Sequence, residues 1–116
     1  MLAKFLNEVK KVWGKEFWVV NNELYCMKYL RIEPGGFSSL HSHTVKDETF
    51  HVTEGWCYLS IDGEERLMNT TDTVRILPGQ KHRFWVPKKA DGCTIVEIST
   101  HHDDEDVTRY QESYKL

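Results

Sequence analysis

Hydrophobic and polar residues alternate with a period of two along most of the chain, which is the pattern of β-strands with one buried face. Turn-forming residues interrupt this pattern about every 8–12 positions. One of these interruptions, Asp62-Gly63, is a strong signal for a type I′ hairpin turn. Short strands in this rhythm are typical of an all-β sandwich or barrel. The strands are predicted over residues 17–20, 24–32, 38–43, 48–53, 56–61, 65–69, 73–77, 82–86 and 94–99.

The two ends of the chain depart from this pattern. Near the start, apolar residues recur at spacings of three and four, which predicts a short helix over residues 2–13 with Gly14 at its C-cap. Residues 101–116 are polar, and we expect them to form a short helix or an arm. The 116 residues then make a single domain, whose barrel core runs from about residue 16 to residue 100.

Composition and charge narrow the possible partners. The chain has 15 basic and 18 acidic residues, a net charge of −3, so it lacks the basic surplus that nucleic-acid binding usually requires. No apolar run approaches the roughly 18 residues that span a bilayer, so we expect no membrane partner either. The three cysteines form no C-x-x-C pair, and the first residues lack the apolar region of a signal peptide. Both observations favour a reducing, cytoplasmic location.

Three histidines and one glutamate form the most informative group of residues. His41 and His43 are two residues apart, which places both imidazoles on the same face of a strand. Glu48 opens the next predicted strand after a short connection, and His82 begins another strand just after a Pro-Gly turn. Such a mixed nitrogen and oxygen set suits Mn, Fe, Ni, Co or Zn and leaves coordination positions open for water or substrate. A closed structural zinc site is not expected, because the set contains no thiolate.

The spacing of these residues resembles the first motif of the cupin superfamily at every fixed position. Gly35 is followed after five residues by His41-Ser42-His43, after four more by Glu48 and after six more by Gly55. Residues 78–82 (PGQKH) resemble the core of the second cupin motif. In that motif the proline adjoins the glycine instead of preceding it by two, and a valine replaces the usual asparagine four residues after the histidine.

The resemblance covers roughly residues 30–100. It implies a small antiparallel cupin β-barrel, or jelly roll, with one divalent transition metal ion (Mn, Zn, Fe, Ni or Co) inside its mouth. By position, the implied ligands are His41, His43, Glu48 and His82.

The flanking residues resemble a narrower group, the single-domain cupins related to mannose-6-phosphate isomerase and D-lyxose isomerase. The matching positions are Trp13-Gly14, Glu97, the acidic run 103–106 and Val107-Thr108-Arg109-Tyr110. This resemblance implies a sugar or sugar-phosphate substrate and an aldose–ketose isomerase that moves a proton through a cis-enediol. The base must then lie close to the metal.

Glu97 is the first candidate for the catalytic base, because it is an acidic residue near the end of an otherwise apolar strand. Lys46 and His51 are second choices, although strand parity turns His51 away from Glu48. For substrate binding, Phe84 shares the parity of His82 and is expected in the pocket wall, and Arg109 is a candidate to hold a sugar phosphate.

Each of these residues also has a structural interpretation. Glu97 could form only a salt bridge, Lys46 could be a solvated loop charge, and Arg109 could tie the tail to the barrel. His51 is expected on the outer face of its sheet, where it could meet a second copy of the chain. The pair His101-His102 is interpreted as surface, and the acidic run 103–106 as a solvated loop.

Two other functions compete with the isomerase. A cupin dioxygenase would use the same ligands with Fe(II) and open positions for O₂. A non-catalytic cupin would bind a metal or a carbohydrate without turnover, and in a purely structural cupin the metal would only stabilise the barrel. For the assembly we expect a homodimer, since small barrels with open sheet edges and many aromatic residues often pair.

Overall fold

The computed structural model describes residues 7–116, and every regular element in this range is a β-strand. The all-β prediction is therefore confirmed. The described residues contain no helix that could cross a membrane. In chain order the strands are β1 (Asn7–Lys11), β2 (Gly14–Asn21), β3 (Cys26–Ile32), β4 (Gly36–Phe37), β5 (Leu40–Ser42), β6 (Glu48–Gly55), β7 (Cys57–Ile61), β8 (Glu64–Met68), β9 (Thr73–Ile76), β10 (His82–Trp85), β11 (Cys93–Ser99), β12 (Thr108–Gln111) and β13 (Tyr114–Lys115).

Two antiparallel sheets face each other across one core. The first sheet has the order β1-β2-β3-β11-β6-β9, and the second has the order β12-β5-β10-β4-β13, with β7 pairing with β10 and β8 with β7. Apolar side chains of both sheets join in a single buried cluster, which includes Leu30 and Ile95 from the first sheet and Leu59 and Phe84 from the second. Strands far apart in sequence are neighbours in each sheet, as in a jelly roll.

The inward-facing residues change from apolar to charged along the central strands of the first sheet. Leu30, Ile95 and Val52 are register neighbours on β3, β11 and β6, and they form one apolar layer. In the next layer toward one end of the barrel, Lys28 and Glu97 are register neighbours, and both are buried. Strand periodicity sends both residues inward, so a charged site forms at one end of an apolar barrel.

The predicted N-terminal helix is wrong over residues 7–13. Residues 7–11 form β1, which pairs with β2 in a hairpin, and Trp13 is buried with its ring edge-to-face against Phe84 at 4.9 Å. An isolated helix of about 12 residues is marginal in water, whereas β2 offers a complete row of backbone partners. The part of the predicted helix over residues 2–6 lies outside the described residues.

The C-terminal residues also join the barrel. β12 pairs with β5 and β13 pairs with β4, so residues 101–116 contain two short strands and no helix. The hairpin turn between β7 and β8 is confirmed, because Asp62 and Gly63 have φ angles of 50° and 83°.

Gly55, the last fixed position of the first motif, lies where the end of β6 packs closely against the residue that precedes β11. Its φ is +73°, and a Cβ built on it would lie 2.2 Å from the carbonyl oxygen of Gly92. Gly63 has a similar φ of +83° but nothing within 4 Å of its added Cβ.

We expect Gly63→Ala to lower the free energy of unfolding by about 1–2 kcal/mol, the cost of a Cβ in left-handed backbone. Gly55→Ala carries the same cost and a further penalty of about 1–3 kcal/mol, since the backbone at Gly92 must move. Urea unfolding of the two variants measures the difference. Equal losses for the two substitutions would show that the close approach to Gly92 is unimportant.

Candidate metal centre and its cavity

Three imidazoles converge where β5 and β10 meet. His41 lies on β5, His43 directly follows β5, and His82 opens β10 opposite His41. One ring nitrogen from each of the three lies within 4.8 Å of the others. The intervening Ser42 turns the other way, where its hydroxyl lies 2.9 Å from that of Tyr110. Sequence reasoning from strand parity therefore placed His41 and His43 correctly on one face.

Backbone carbonyls fix the orientation of all three rings. A carbonyl only accepts hydrogen bonds, so each Nδ1 that contacts one carries a proton, and in the neutral ring Nε2 then keeps its lone pair. Metal-ligating histidines are held by this type of outer hydrogen bond. The Nδ1–carbonyl distances are 2.9 Å from His41 to Ser39, 2.6 Å from His43 to Asp106 and 3.0 Å from His82 to Gln80.

Glu48 completes the group. Its Oε2 lies 3.3 Å from Nε2 of His43 and 3.2 Å from Nε2 of His82. Within the described chain, Glu48 Oε2 and His82 Nε2 are buried side-chain atoms without a hydrogen-bond partner. Two unpaired acceptors facing each other in a buried site are costly. A divalent cation between them would satisfy both, so the three histidines fit a metal and Glu48 is well placed as its fourth ligand.

Burial keeps the imidazoles of His41 and His43 in the neutral form that binds metals. Burial lowers the pKa of His41 to about 3. Burial also lowers the pKa of His43, and the nearby Lys46 ammonium lowers it further. Neutral imidazole is the ligating form of histidine.

Lys46 and Glu97 form a buried ion pair beside this centre. Lys46 Nζ lies 3.2 Å from Glu97 Oε2 and 3.8 Å from Glu48 Oε1, so the ammonium bridges the two carboxylates. Lys46 is only 4% exposed, which excludes its interpretation as a solvated loop charge. Burial alone would raise the pKa of Glu97, but the charges of Lys46 and Lys28 outweigh it and lower that pKa to about 2.

Sequence reasoning missed two residues of this charged layer. Lys28 is 1% exposed, and its Nζ lies 3.2 Å from Nδ1 of His102 and 4.0 Å from the centre of the Trp18 ring. The signal was present, because Lys28 has the inward parity of Leu30 on β3. For His102 the surface interpretation is wrong: its Nδ1 lies 3.1 Å from Nζ of Lys46.

The pair His101-His102 obeys the alternation of an extended segment. The His101 ring turns outward to the carbonyl of Asn22 at 2.8 Å, while His102 turns into the barrel. His102 Nε2 lies 2.8 Å from a carboxylate oxygen of Asp104, and burial lowers the pKa of His102. Neighbouring residues of this segment therefore have different environments, as strand geometry requires.

One cavity of about 440 Å³ connects the histidine centre with the charged layer. This volume is within the range of small-molecule sites. The cavity is also lined by Phe84, which is buried, and by Arg109, whose guanidinium has no hydrogen bond or ion pair with the described residues. His51 does not line it; its Nδ1 lies 2.7 Å from the Thr73 hydroxyl in an exposed position. The predicted site residues lining the cavity are His41, His43, Glu48, Lys46, Glu97, Phe84 and Arg109.

Comparison with known protein families decides the identity of the fold. Residues 28–99 match the cupin domain. The chain belongs to the cupin family. The match includes both stretches that resemble the cupin motifs; it begins at Lys28, within β3, and ends at Ser99, the last residue of β11.

Two curated relatives of this cupin handle sugars according to their names. Mannose-1-phosphate guanylyltransferase ManC of Salmonella typhimurium is 27% identical over 109 residues, which cover 92% of this chain and 22% of ManC. The D-lyxose/D-mannose isomerase of Thermosediminibacter oceani is 27% identical over 111 residues, which cover 74% of this chain and 61% of the isomerase. The cupin thus spans about a fifth of the length of the guanylyltransferases that it matches.

Solved structures share the fold at low sequence identity. Streptomyces PAC13 with uridine superposes with a TM-score of 0.78 at 10% identity, covering 97% of this chain and 93% of PAC13. A sugar phosphate isomerase of the cupin superfamily from Silicibacter pomeroyi superposes with a TM-score of 0.67 at 23% identity, covering 84% and 75% of the two chains. At these identities the likeness establishes the cupin fold, and the reaction must be argued from the site.

We expect the metal-free cupin to gain stability when Mn²⁺ or Ni²⁺ is added after chelator treatment. At a free metal concentration 100-fold above Kd, the free energy of unfolding should rise by about 2.7 kcal/mol. His82→Gln should remove most of this gain, because an amide is a much weaker ligand than imidazole.

The matched control is His51→Gln, since His51 lies outside the cavity. Metal titration followed by urea unfolding, with elemental analysis of the loaded protein, gives both quantities. A wild-type protein that takes up no metal, or an H82Q protein that binds as well as H51Q, would contradict the assignment of the centre.

Proposed function

We propose that this cupin is a metal-dependent aldose–ketose isomerase acting on a small sugar or sugar phosphate. One observation carries the proposal: the buried Lys46–Glu97 pair lies in the same cavity as the histidine centre, and Lys46 connects it to Glu48. An isomerase of this type needs a group that moves a proton between two carbons next to a group that stabilises the charge formed on oxygen.

The residues that would hold the metal are His41, His43, His82 and Glu48. A divalent ion bound there would polarise the carbonyl and the neighbouring hydroxyl of a sugar. The fit rests on the unpartnered Glu48 Oε2 and His82 Nε2 and on the inward lone pairs of the three rings.

Glu97 is assigned as the base and Lys46 as a hydrogen-bond donor to the substrate oxygens. The Glu97 carboxylate takes the proton from C2 of an aldose, which leaves a cis-enediol, and returns it to C1. The Lys46 ammonium donates a hydrogen bond to O1 as negative charge develops there. The proton of the O2 hydroxyl passes to O1 as the carbonyl forms at C2, which completes the ketose. Glu97 is ionised at neutral pH because of its two lysine neighbours, so it is in the proton-accepting form.

Phe84 and Arg109 are assigned to substrate binding. The buried Phe84 ring, which contacts Trp13 at 4.9 Å, provides an apolar wall of the cavity. Arg109 carries a guanidinium for which the described residues offer no hydrogen-bond or ion-pair partner, so it is available to an anionic group such as a sugar phosphate. The printed names of the D-lyxose/D-mannose isomerase and the sugar phosphate isomerase support this substrate class.

We expect Glu97→Gln to slow isomerisation by about 10²–10⁴-fold, the usual contribution of a positioned base. The amide keeps the shape of the side chain but cannot accept the carbon-bound proton. The measurement is aldose–ketose exchange in deuterated solvent with the Mn²⁺-loaded protein and a panel of pentoses, hexoses and their phosphates. Glu54→Gln is the control, because Glu54 is an exposed residue that does not line the cavity.

The same assay separates the competing functions. Isomerisation and deuterium exchange at the wild-type rate in E97Q would eliminate Glu97 as the base. Oxygen uptake with the Fe(II)-loaded protein, in the absence of isomerisation, would identify a dioxygenase. A rise in Tm with a sugar but no turnover would identify a binding protein.

We also propose that two copies of this cupin form a homodimer through the outer face of the second sheet. Support comes from a row of stacked rings on neighbouring strands: Tyr114 on Phe37 at 4.4 Å, Phe37 on Trp85 at 5.8 Å and Trp85 on Tyr58 at 5.5 Å. Leu67, the register neighbour of Tyr58, is exposed and extends this apolar row.

Light scattering after size-exclusion chromatography should give twice the chain mass for the wild-type protein. Leu67→Lys should shift the mass toward that of one chain, since a buried unpaired ammonium opposes association. Ile98→Lys changes an exposed apolar residue of the other sheet and should leave the mass unchanged. A wild-type monomer at all concentrations would contradict the proposal.

A cytoplasmic location is part of the proposal. The three cysteines are free, and all are buried in the barrel. Free thiols are typical of a reducing compartment.

A further inference from the structure

Asp106 contacts a loop that lies 60 residues earlier in the chain. Its Oδ1 accepts the backbone N–H of Thr44 at 2.8 Å, and its Oδ2 accepts that of Lys46 at 3.0 Å. Between them, the N–H of Val45 points to both oxygens, at 3.3 and 3.2 Å. One carboxylate therefore receives three consecutive backbone donors, so its interpretation as part of a solvated acidic run is wrong.

The backbone of the same residue holds a candidate metal ligand. The carbonyl of Asp106 lies 2.6 Å from Nδ1 of His43, the hydrogen bond that turns the Nε2 lone pair of His43 inward. Asp106 thus contacts both ends of the segment 43–46, which has His43 at one end and the cavity lysine at the other.

The segment 43–46 has no β-ladder hydrogen bonds to hold its backbone in place. It lies between β5 and β6, and none of its residues belongs to a strand. Val45 is 72% exposed, whereas the neighbouring Lys46 side chain is buried in the cavity. Within the described residues, the three N–H groups of Thr44, Val45 and Lys46 find their acceptor in Asp106, so this contact determines the path of the loop.

We propose that Asp106 is a positioning residue that fixes His43 and Lys46 relative to each other. The role of His43 in metal binding rests on the proposed function. The requirement for a carboxylate follows from its two acceptor oxygens. Asparagine at this position has one acceptor oxygen, and its NH₂ group would face a backbone N–H.

The test compares Asp106→Asn with Asp72→Asn. Asp72 also accepts a backbone N–H in a turn, that of Asn69 at 2.8 Å, but it has no hydrogen bond to the segment 43–46. The two variants therefore share the change in charge and the loss of a loop hydrogen bond, and they differ in the contact with the segment 43–46.

Two measurements are made on folded protein, well below the unfolding transition. In D106N the affinity for Mn²⁺ should fall about 10-fold or more, as when an outer partner of a ligand is changed, and the amides of residues 44–46 should exchange with solvent faster. D72N should change neither. Neither measurement needs turnover, so failure of the isomerase assay leaves this test intact.

Hydrogen exchange of the wild-type protein covers the case in which D106N does not fold. The amides of residues 44–46 should be protected although Thr44 and Val45 lie on an exposed loop. Rapid exchange of these amides in the wild-type protein would overturn the proposal. Wild-type Mn²⁺ affinity together with unchanged exchange of residues 44–46 in D106N would overturn it as well.

Discussion

The site depends on two buried acceptor atoms that face each other at 3.2 Å, Glu48 Oε2 and His82 Nε2. In the neutral His82 ring the one N–H, on Nδ1, donates to the Gln80 carbonyl, so Nε2 has no proton to donate to Glu48. The fold thus maintains an electrostatic conflict that a cation resolves. Because removing charged or polar atoms from water is costly without such a partner, the conflict indicates a ligand and does not serve the stability of the barrel.

The lysines next to this centre keep the buried charge balanced. Lys46 lies between two carboxylates, and Lys28 Nζ lies 3.8 Å from Glu16 Oε1, so each buried ammonium has a carboxylate nearby. Pairs of this kind contribute little net stability, because desolvation offsets most of the attraction. Their presence inside an otherwise apolar barrel is better explained by the charged groups that they place in the cavity than by a contribution to folding stability.

The sequence predicted the parts of the site whose geometry is local. The spacing of His41 and His43 follows from strand alternation, and Glu48 and His82 follow from turns that precede strands. Asp106 and His102 could not be found in this way, because their partners in the site lie 56 to 74 residues away along the chain. The helix predicted near the start was wrong since the apolar spacing did not reveal that β2 supplies a free strand edge.

The long separation between His43 and Asp106 has a consequence for biosynthesis. The carbonyl that orients the His43 ring is made 63 residues after the ring itself, and β11 and β12 also come late in the chain. While the protein is still emerging from the ribosome, the histidines of the first motif therefore exist without their final constraints. The three-histidine site therefore cannot take its final geometry until the residues around Asp106 have been made, and a metal captured before then would meet a looser set of ligands.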